Sequence, residues 1–144
     1  MIIGVIGGRV CSDDTKKAAF KIGAHIAESG HYLMCGGYSG VMEEACRGCK
    51  SKNGTTIGIL MHEDKREMNP YIDIPIVTAM SLARNAIIVR SADILIAFEG
   101  SYGTLSEIGM GLALEKPIIG FKTWDIKGIT TADTVEDIIR KLPN

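Results

Sequence analysis

The hydrophobic positions of this chain form short apolar runs that alternate with segments of helical spacing. The runs have the length of buried strands and cover residues 2–6, 32–35, 55–60, 74–77, 94–98, 117–121 and 129–131. Helices are predicted to begin near Asp13, Val41, Ser81, Gly103 and Asp133, because apolar residues recur there every three or four positions. The alternation predicts an α/β fold with a doubly wound, mostly parallel sheet of about six to seven strands and helices on both faces.

Capping signals mark three of the helix starts. Ser12 or Asp13 is suited to cap the first helix, and Ser81 the third. Asp133 is followed three residues later by Glu136, which fits a capping box at the last helix.

No composition break or low-complexity segment divides the chain, so residues 1–144 are predicted to form a single domain. The alternation is broken only by His62–Asp73, where charged residues precede Asn69-Pro70. We predict a mobile polar loop there, which could act as a lid over a ligand.

Composition and charge exclude several classes of function. The net charge of −1 gives no indication of a basic surface that would bind a polyanion, so nucleic acid is not expected as a partner. No apolar run approaches the roughly 20 residues that cross a bilayer, and the N-terminus has the pattern of a first strand, not a signal peptide. A cytoplasmic protein with reduced thiols is the simplest interpretation.

Four cysteines and three histidines give no strong metal signal. Cys46 and Cys49 form a CxxC pair, but helical spacing makes two packed residues a better interpretation than redox or metal chemistry. No two histidines have the spacing of metal ligands, so we predict neither a metal site nor a resident cofactor.

The strongest chemical signal is the glycine-rich turn Gly100-Ser101-Tyr102-Gly103-Thr104 between the strand at 94–98 and the next helix. Free backbone N–H groups and the partial positive charge of a helix N-terminus favour an anion there, most often a phosphate. A second such loop, Gly36-Gly37-Tyr38-Ser39-Gly40, also follows a strand. Parallel strands place both loops at one edge of the sheet, where ligands bind in such folds. An ordinary strand-to-helix turn is the alternative for each loop.

Two charged residues are candidates for chemistry beside these loops. Glu107 lies one turn into the helix that Gly103 opens, where the helix N-terminus should keep its carboxylate ionised and suited to act as a base. Alternatively, Thr104–Glu107 is a capping box in which Glu107 only binds the backbone. Arg84 lies in the first turn of the preceding helix. If the strands at 74–77 and 94–98 are neighbours, Arg84 and Glu107 lie within reach of one ligand, and an arginine at a helix N-terminus indicates an anionic partner. The alternative is that Arg84 is a solvated surface residue.

Three segments resemble motifs of the LOG (LONELY GUY) family, which belongs to the SLOG superfamily of Rossmann-like nucleotide-binding proteins. Glu99–Glu107 (EGSYGTLSE) is similar to the PGGxGTxxE motif, and Cys35–Met42 (CGGYSGVM) to the GGGxxGxM motif. Arg84-Asn85 resembles the family's Arg-Lys pair. The order and spacing of the elements match over nearly the whole chain, whose length resembles that of a short prokaryotic branch. The older family label, lysine decarboxylase, finds no support, because nothing marks a Schiff-base lysine.

The resemblance implies a Rossmann-like domain, a homodimer and a nucleoside 5′-monophosphate ligand. In the LOG branch the reaction is hydrolysis of the N-glycosidic bond, which releases the free base and ribose 5-phosphate. By position, Arg84 and Glu107 would be the catalytic pair. The phosphate and nucleotide would be held by Gly36, Gly37, Ser39, Gly40, Gly100, Ser101, Gly103 and Thr104.

Departures from the family motifs favour a second hypothesis. Pro-Gly-Gly is replaced by Glu99-Gly100-Ser101, the first glycine of the earlier motif by Cys35, and the lysine after the arginine by Asn85. Glu99 places a negative charge near the predicted phosphate site, which weakens anion binding unless the side chain points away. The alternative is therefore a non-catalytic protein that binds or carries a nucleotide or a phosphate-bearing cofactor, as do the related molybdenum-cofactor carriers.

Overall fold

The computed structural model describes residues 1–143, which form one seven-stranded parallel sheet with helices on both faces. The strands are β1 (Ile2–Gly7), β2 (Tyr32–Cys35), β3 (Thr56–Leu60), β4 (Ile74–Val77), β5 (Ile94–Phe98), β6 (Ile118–Phe121) and β7 (Thr130–Thr131). The helices are α1 (Asp13–Glu28), α2 (Val41–Ser51), α3 (Asn85–Ser91), α4 (Tyr102–Ala113) and α5 (Val135–Lys141). This confirms the predicted fold class. No described helix has the length and apolar character that a membrane crossing needs.

The order of the strands determines where a ligand can bind. Across the sheet the order is β4-β3-β2-β1-β5-β6-β7, and every neighbouring pair is parallel. The chain winds outwards from β1 to β4, then crosses back to β5 on the other side of β1. The connections after β1 and β5 therefore leave in opposite directions, and a crevice opens between their carboxyl ends.

Two hydrophobic layers cover the sheet. On one face, α1, α2 and α5 bury residues such as Ile22, Val41 and Ile138 against the strands. On the other face, α3 and α4 contribute Ile88, Val89 and Ile108. These packed layers fix the ends of the strands and helices that meet at the crevice.

The predicted helix over residues 81–90 is divided in two. Ser81–Arg84 forms a 3-10 turn, and α3 begins only at Asn85. Ser81 was predicted as the N-cap, but its N–H donates to the Met61 carbonyl and its φ is +52°, whereas a capping residue is extended. The prediction was wrong because the end of β3 holds this backbone.

The cap of the last helix also differs from the prediction. Thr134 is the N-cap, and its hydroxyl accepts a hydrogen bond of 3.1 Å from the Asp137 N–H. The capping box of Asp133 and Glu136 is therefore wrong by one residue.

The segment His62–Asp73 has two different halves. Residues 62–67 are largely exposed, as predicted for a polar loop. Asn69 is buried, and its side-chain amide donates to the Tyr38 carbonyl over 2.9 Å. Asp73 pairs with Lys50 at 2.8 Å. The second half is thus packed onto the domain, and only the first half fits the prediction of an exposed polar loop.

Candidate functional site

A cavity of about 140 Å³ lies at the carboxyl ends of β1 and β5, at the crevice that the strand order creates. It is lined by Val5, Ile6, Gly7, Gly8, Arg9, Gly36, Met42, Met61, Leu82, Arg84, Asn85, Ser101, Gly103, Thr104 and Glu107. Six of the predicted site residues therefore line it: Gly36, Arg84, Ser101, Gly103, Thr104 and Glu107.

The turn after β5 presents the start of α4 to this cavity. Gly100 has a φ of +92°, and a Cβ there would lie 2.8 Å from the Thr104 methyl group, so the sharp turn requires glycine. Ser101 is the N-cap residue, but its side chain accepts no capping hydrogen bond. The first N–H groups of α4 are consequently not capped by that side chain, and Ser101, Gly103 and Thr104 all line the cavity.

Glu99 points away from the turn. Its carboxylate accepts hydrogen bonds from the Ser12 N–H at 3.2 Å, from the Thr15 hydroxyl at 2.5 Å and from the Ser12 hydroxyl. Partial burial acts to raise the pKa of Glu99, but these hydrogen bonds outweigh it and hold the pKa below its ordinary value. The negative charge therefore anchors the start of α1 and does not line the anion site.

Arg84 is only 6% exposed and lies on the cavity wall. Its Nη1 donates to the Ile59 carbonyl over 2.5 Å, whereas its buried Nε has no hydrogen-bond partner among the described residues. Burial lowers the pKa of the guanidinium, and Glu107 acts to raise it. A Cβ on Gly36 would come within 2.9 Å of the Arg84 Cζ, so this glycine makes room for the arginine.

Glu107 is also 6% exposed and faces the same cavity from α4. Burial raises its pKa to about 8, and the Arg84 guanidinium only partly opposes this shift. Two predictions for Glu107 were therefore wrong. A pKa of about 8 leaves its carboxyl mostly protonated at neutral pH. It forms no capping box, because α4 begins at Tyr102 with Ser101 as N-cap, and Glu107 lies more than one turn inside the helix. Desolvation outweighs the helix N-terminus at this position.

Arg84 and Glu107 meet by a route that the sequence did not predict. Strands β4 and β5 are not neighbours, because β3, β2 and β1 lie between them. The connection from β4 to β5 crosses back over the sheet, and Arg84 at the end of its 3-10 turn lines the cavity and donates to the Ile59 carbonyl of β3. Asn85 at the start of α3 is linked to α4, since its side-chain amide donates to Ser106 Oγ at 3.2 Å.

The structure adds a residue that sequence reasoning missed, Arg9 in the loop after β1. It lines the cavity, and its Cζ lies 4.3 Å from the centre of the Tyr38 ring. The Arg84 Cζ lies 5.7 Å from the same ring. Tyr38 is buried, and its hydroxyl accepts a hydrogen bond from the Met61 N–H at 2.9 Å. The signal in the sequence was the Gly7-Gly8-Arg9 loop directly after the first strand.

Gly37, Ser39 and Gly40 belong to the second glycine loop but do not line the cavity. The Ser39 hydroxyl donates to the Arg9 carbonyl over 3.4 Å. Gly40 adjoins the backbone of the same β1 loop, where a Cβ would be 2.5 Å from the Arg9 carbonyl oxygen. These residues support the loop that carries Arg9, and only Gly36 of the predicted set from this loop faces the cavity.

The cysteines are packed side chains. Cys46 and Cys49 are fully buried on α2, and burial raises the pKa of Cys49 to about 11, which disfavours the reactive thiolate. Cys46 lies 3.5 Å from Cys35, Sγ to Sγ. Within residues 1–143 no group of three or more metal-ligating side chains comes together.

These features define a Rossmann-type α/β protein with a cationic cavity at the switch point of its sheet. The model of the SLOG cluster4 family matches residues 1–142, and the chain belongs to that family. An uncharacterized protein of Archaeoglobus fulgidus is 43% identical over 140 residues, which are 96% of this chain and 92% of the other. The resemblance to the SLOG superfamily is thereby confirmed.

Two solved structures are similar over nearly their full length. The molybdenum cofactor binding protein of Rippkaea orientalis is 36% identical, with a TM-score of 0.90 over 96% of this chain and 93% of the other. The molybdenum cofactor carrier protein of Chlamydomonas reinhardtii is 34% identical, with a TM-score of 0.87 over 96% and 94%.

Proposed function

We propose that this protein binds a phosphate-bearing small molecule in the cavity between β1 and β5 and carries it without cleaving it. A phosphate lies against the uncapped N–H groups at the start of α4, and Arg84 provides the fixed cation. Buried and in contact with Gly36, Arg84 loses little conformational entropy when an anion binds.

The burial of Glu107 in the cavity wall is the observation that carries this proposal. A carboxylate in a small cavity would repel a phosphate, but a pKa of about 8 leaves Glu107 mostly neutral at pH 7. In that state its carboxyl group can donate a hydrogen bond to a phosphate oxygen. The cavity then has cationic and neutral donors facing the anion, while the carboxylate of Glu99 is bound to Ser12 and Thr15.

The molybdenum cofactor is the first candidate for the cargo, because the two solved relatives are described as binding or carrying it. It is a phosphorylated pterin, which has both an anionic end and a flat heterocyclic part. The residues present suit both parts. The phosphate fits the turn and Arg84, and Met42, Met61 and Leu82 offer an apolar wall. At about 140 Å³ the cavity encloses one end of such a molecule, so the remainder lies across the rim.

A nucleoside 5′-monophosphate phosphoribohydrolase is the second candidate, favoured by Arg84 and Glu107 in one cavity. As the base leaves, C1′ gains positive charge, and an ionised Glu107 would stabilise it or orient the attacking water. Arg84 would clamp the phosphate. Hydrolysis by this route needs the ionised carboxyl, so its rate would rise with pH towards about 8.

A paired experiment distinguishes the two functions. The protein is incubated with adenosine, guanosine and inosine monophosphates at pH 6.5 and 8.5, and free base is measured by chromatography. In parallel, molybdenum cofactor released from a molybdoenzyme is added, and pterin and molybdenum that co-elute with the protein are quantified. We expect retention of the cofactor and no free base. Base release that needs both Arg84 and Glu107 would replace the carrier by the hydrolase.

We propose a homodimer in the cytoplasm that has a small molecule, and no nucleic acid, as its partner. Gel filtration with light scattering tests the dimer, and elution at the mass of one 15.5 kDa chain would contradict it.

A further inference from the structure

The rim of the cavity holds an ion pair that takes no part in the proposed binding of a phosphate by Arg84 and the start of α4. Arg9 Nη1 donates to a Glu67 carboxylate oxygen over 3.3 Å. The same oxygen of Glu67 lies 3.1 Å from His62 Nε2, and the centres of the His62 and Tyr38 rings are 5.4 Å apart in an edge-to-face arrangement. A carboxylate of the exposed loop 62–67 therefore already binds a cation that lines the cavity.

Arg9 and Arg84 differ in burial, but both guanidinium groups lie near the ring of Tyr38. The Cζ atoms lie 4.3 Å and 5.7 Å from the centre of the Tyr38 ring, so the two guanidinium carbons are at most 10.0 Å apart. Arg84 is buried and fixed, whereas the Arg9 side chain is 45% exposed. Two cations within this limit can each bind a different anionic group of one ligand, if those groups are a few bonds apart as in a diphosphate.

From this geometry we propose that Arg9 is a second anion-binding residue, masked by Glu67 in the free protein. The inference rests on the proposed function, since it requires an anionic ligand in the cavity. One anionic group binds the start of α4 and Arg84, and the second displaces the Glu67 carboxylate from Arg9. The exchange replaces one carboxylate by one ligand anion, so Arg9 stays paired, and the exposed Glu67 carboxylate is left to solvent. Loop 62–67 is released from Arg9 at the same step.

The masking is weak enough for a ligand to reverse. Both partners are about half exposed, at 45% and 59%, and an exposed ion pair contributes little. A ligand anion that also contacts Arg84 competes well with this single carboxylate, because a bivalent ligand gains from effective concentration. Inorganic phosphate has a single anionic group, which Arg84 and the turn already bind, so contact with Arg9 adds less to its affinity.

The test uses calorimetric titration with inorganic pyrophosphate and inorganic phosphate at low salt. Glu67→Gln removes the masking charge, Arg9→Gln removes the second site, and Glu63→Gln changes an exposed carboxylate of the same loop. We expect E67Q to bind pyrophosphate about two- to fivefold more tightly than the wild type, and R9Q to bind it more weakly. E63Q should match the wild type. Combining E67Q with R9Q should abolish the gain, and the affinity for phosphate should change little in any of them.

Two outcomes would overturn the inference. One leaves the proposed function standing, and the other overturns it as well. If pyrophosphate binds but E67Q and R9Q leave its affinity unchanged, or E67Q lowers it, Arg9 is not a masked site and the proposed function stands. Gly103→Ala adds a methyl group at a residue that lines the cavity, and it should weaken pyrophosphate binding if the probe binds there. If neither probe binds the wild type, the anion site fails together with this inference.

Discussion

Replacing Glu107 by glutamine should change how the stability of the protein depends on pH. The folded protein keeps a proton on Glu107 up to about pH 8, whereas the unfolded chain loses it near the ordinary carboxyl pKa of about 4.3. Folding therefore takes up a proton between these values, and the stability contribution falls as pH rises. The slope is about 1.4 kcal/mol per pH unit, so the wild type should lose about 2 to 3 kcal/mol relative to E107Q between pH 5.5 and 7.5.

Urea unfolding followed by the fluorescence of Trp124, the single tryptophan, measures this difference. For a urea dependence of about 2 kcal/mol per M, the gap between the two midpoints should change by about 1 M across this pH range. Glu136→Gln, an exposed carboxylate on α5, is the matched control and should follow the wild type. Parallel profiles for E107Q and the wild type would refute the reasoning. Glu107 would then be ionised at neutral pH, and the hydrolase would gain support.

Two further predictions concern side chains that stabilise the N-terminal ends of α1 and α5. Glu99→Ala should destabilise the protein by about 1 to 2 kcal/mol, because Ser12 and Thr15 lose their acceptor, and calorimetric melting measures this. Since the pKa of Glu99 is lowered in the folded state, the difference from the wild type should shrink as acid protonates it; an undiminished difference at low pH would contradict the assignment. Thr134→Ala should cost about 1 kcal/mol and Asp133→Ala much less, so equal costs would contradict Thr134 as the cap.

Periodicity and turn residues predicted the architecture because they act locally. Apolar runs of strand length located every strand, and the sheet follows from their alternation with helices. The first residues and N-caps of α3 and α5 were not predictable in this way. Ser81 has the right chemistry for a cap, but a hydrogen bond to Met61, distant in sequence, fixes its backbone.

The candidate site was predictable in its location and not in its electrostatics. The glycine turn after β5 identified the edge of the sheet, and Arg84 and Glu107 do line one cavity there. The pKa of Glu107 depends on burial by elements far apart in the chain, so the helix position alone gave the wrong protonation state. Arg9 was missed because its role depends on the contact with Tyr38, which no local pattern reveals.

Cofactor binding by a pair of glycine variants on α4 tests the central claim most directly. Apart from its chain neighbours and the adjacent helix backbone, a Cβ on Gly103 or on Gly109 would meet no atom within 4 Å. Both alanine variants should therefore fold and even gain up to about 1 kcal/mol of stability. Only Gly103 lines the cavity. Equilibrium dialysis with the molybdenum cofactor should show binding by the wild type and Gly109→Ala, and binding about tenfold weaker or more by Gly103→Ala. Equal binding by all three proteins would contradict the claim that the turn after β5 receives the phosphate.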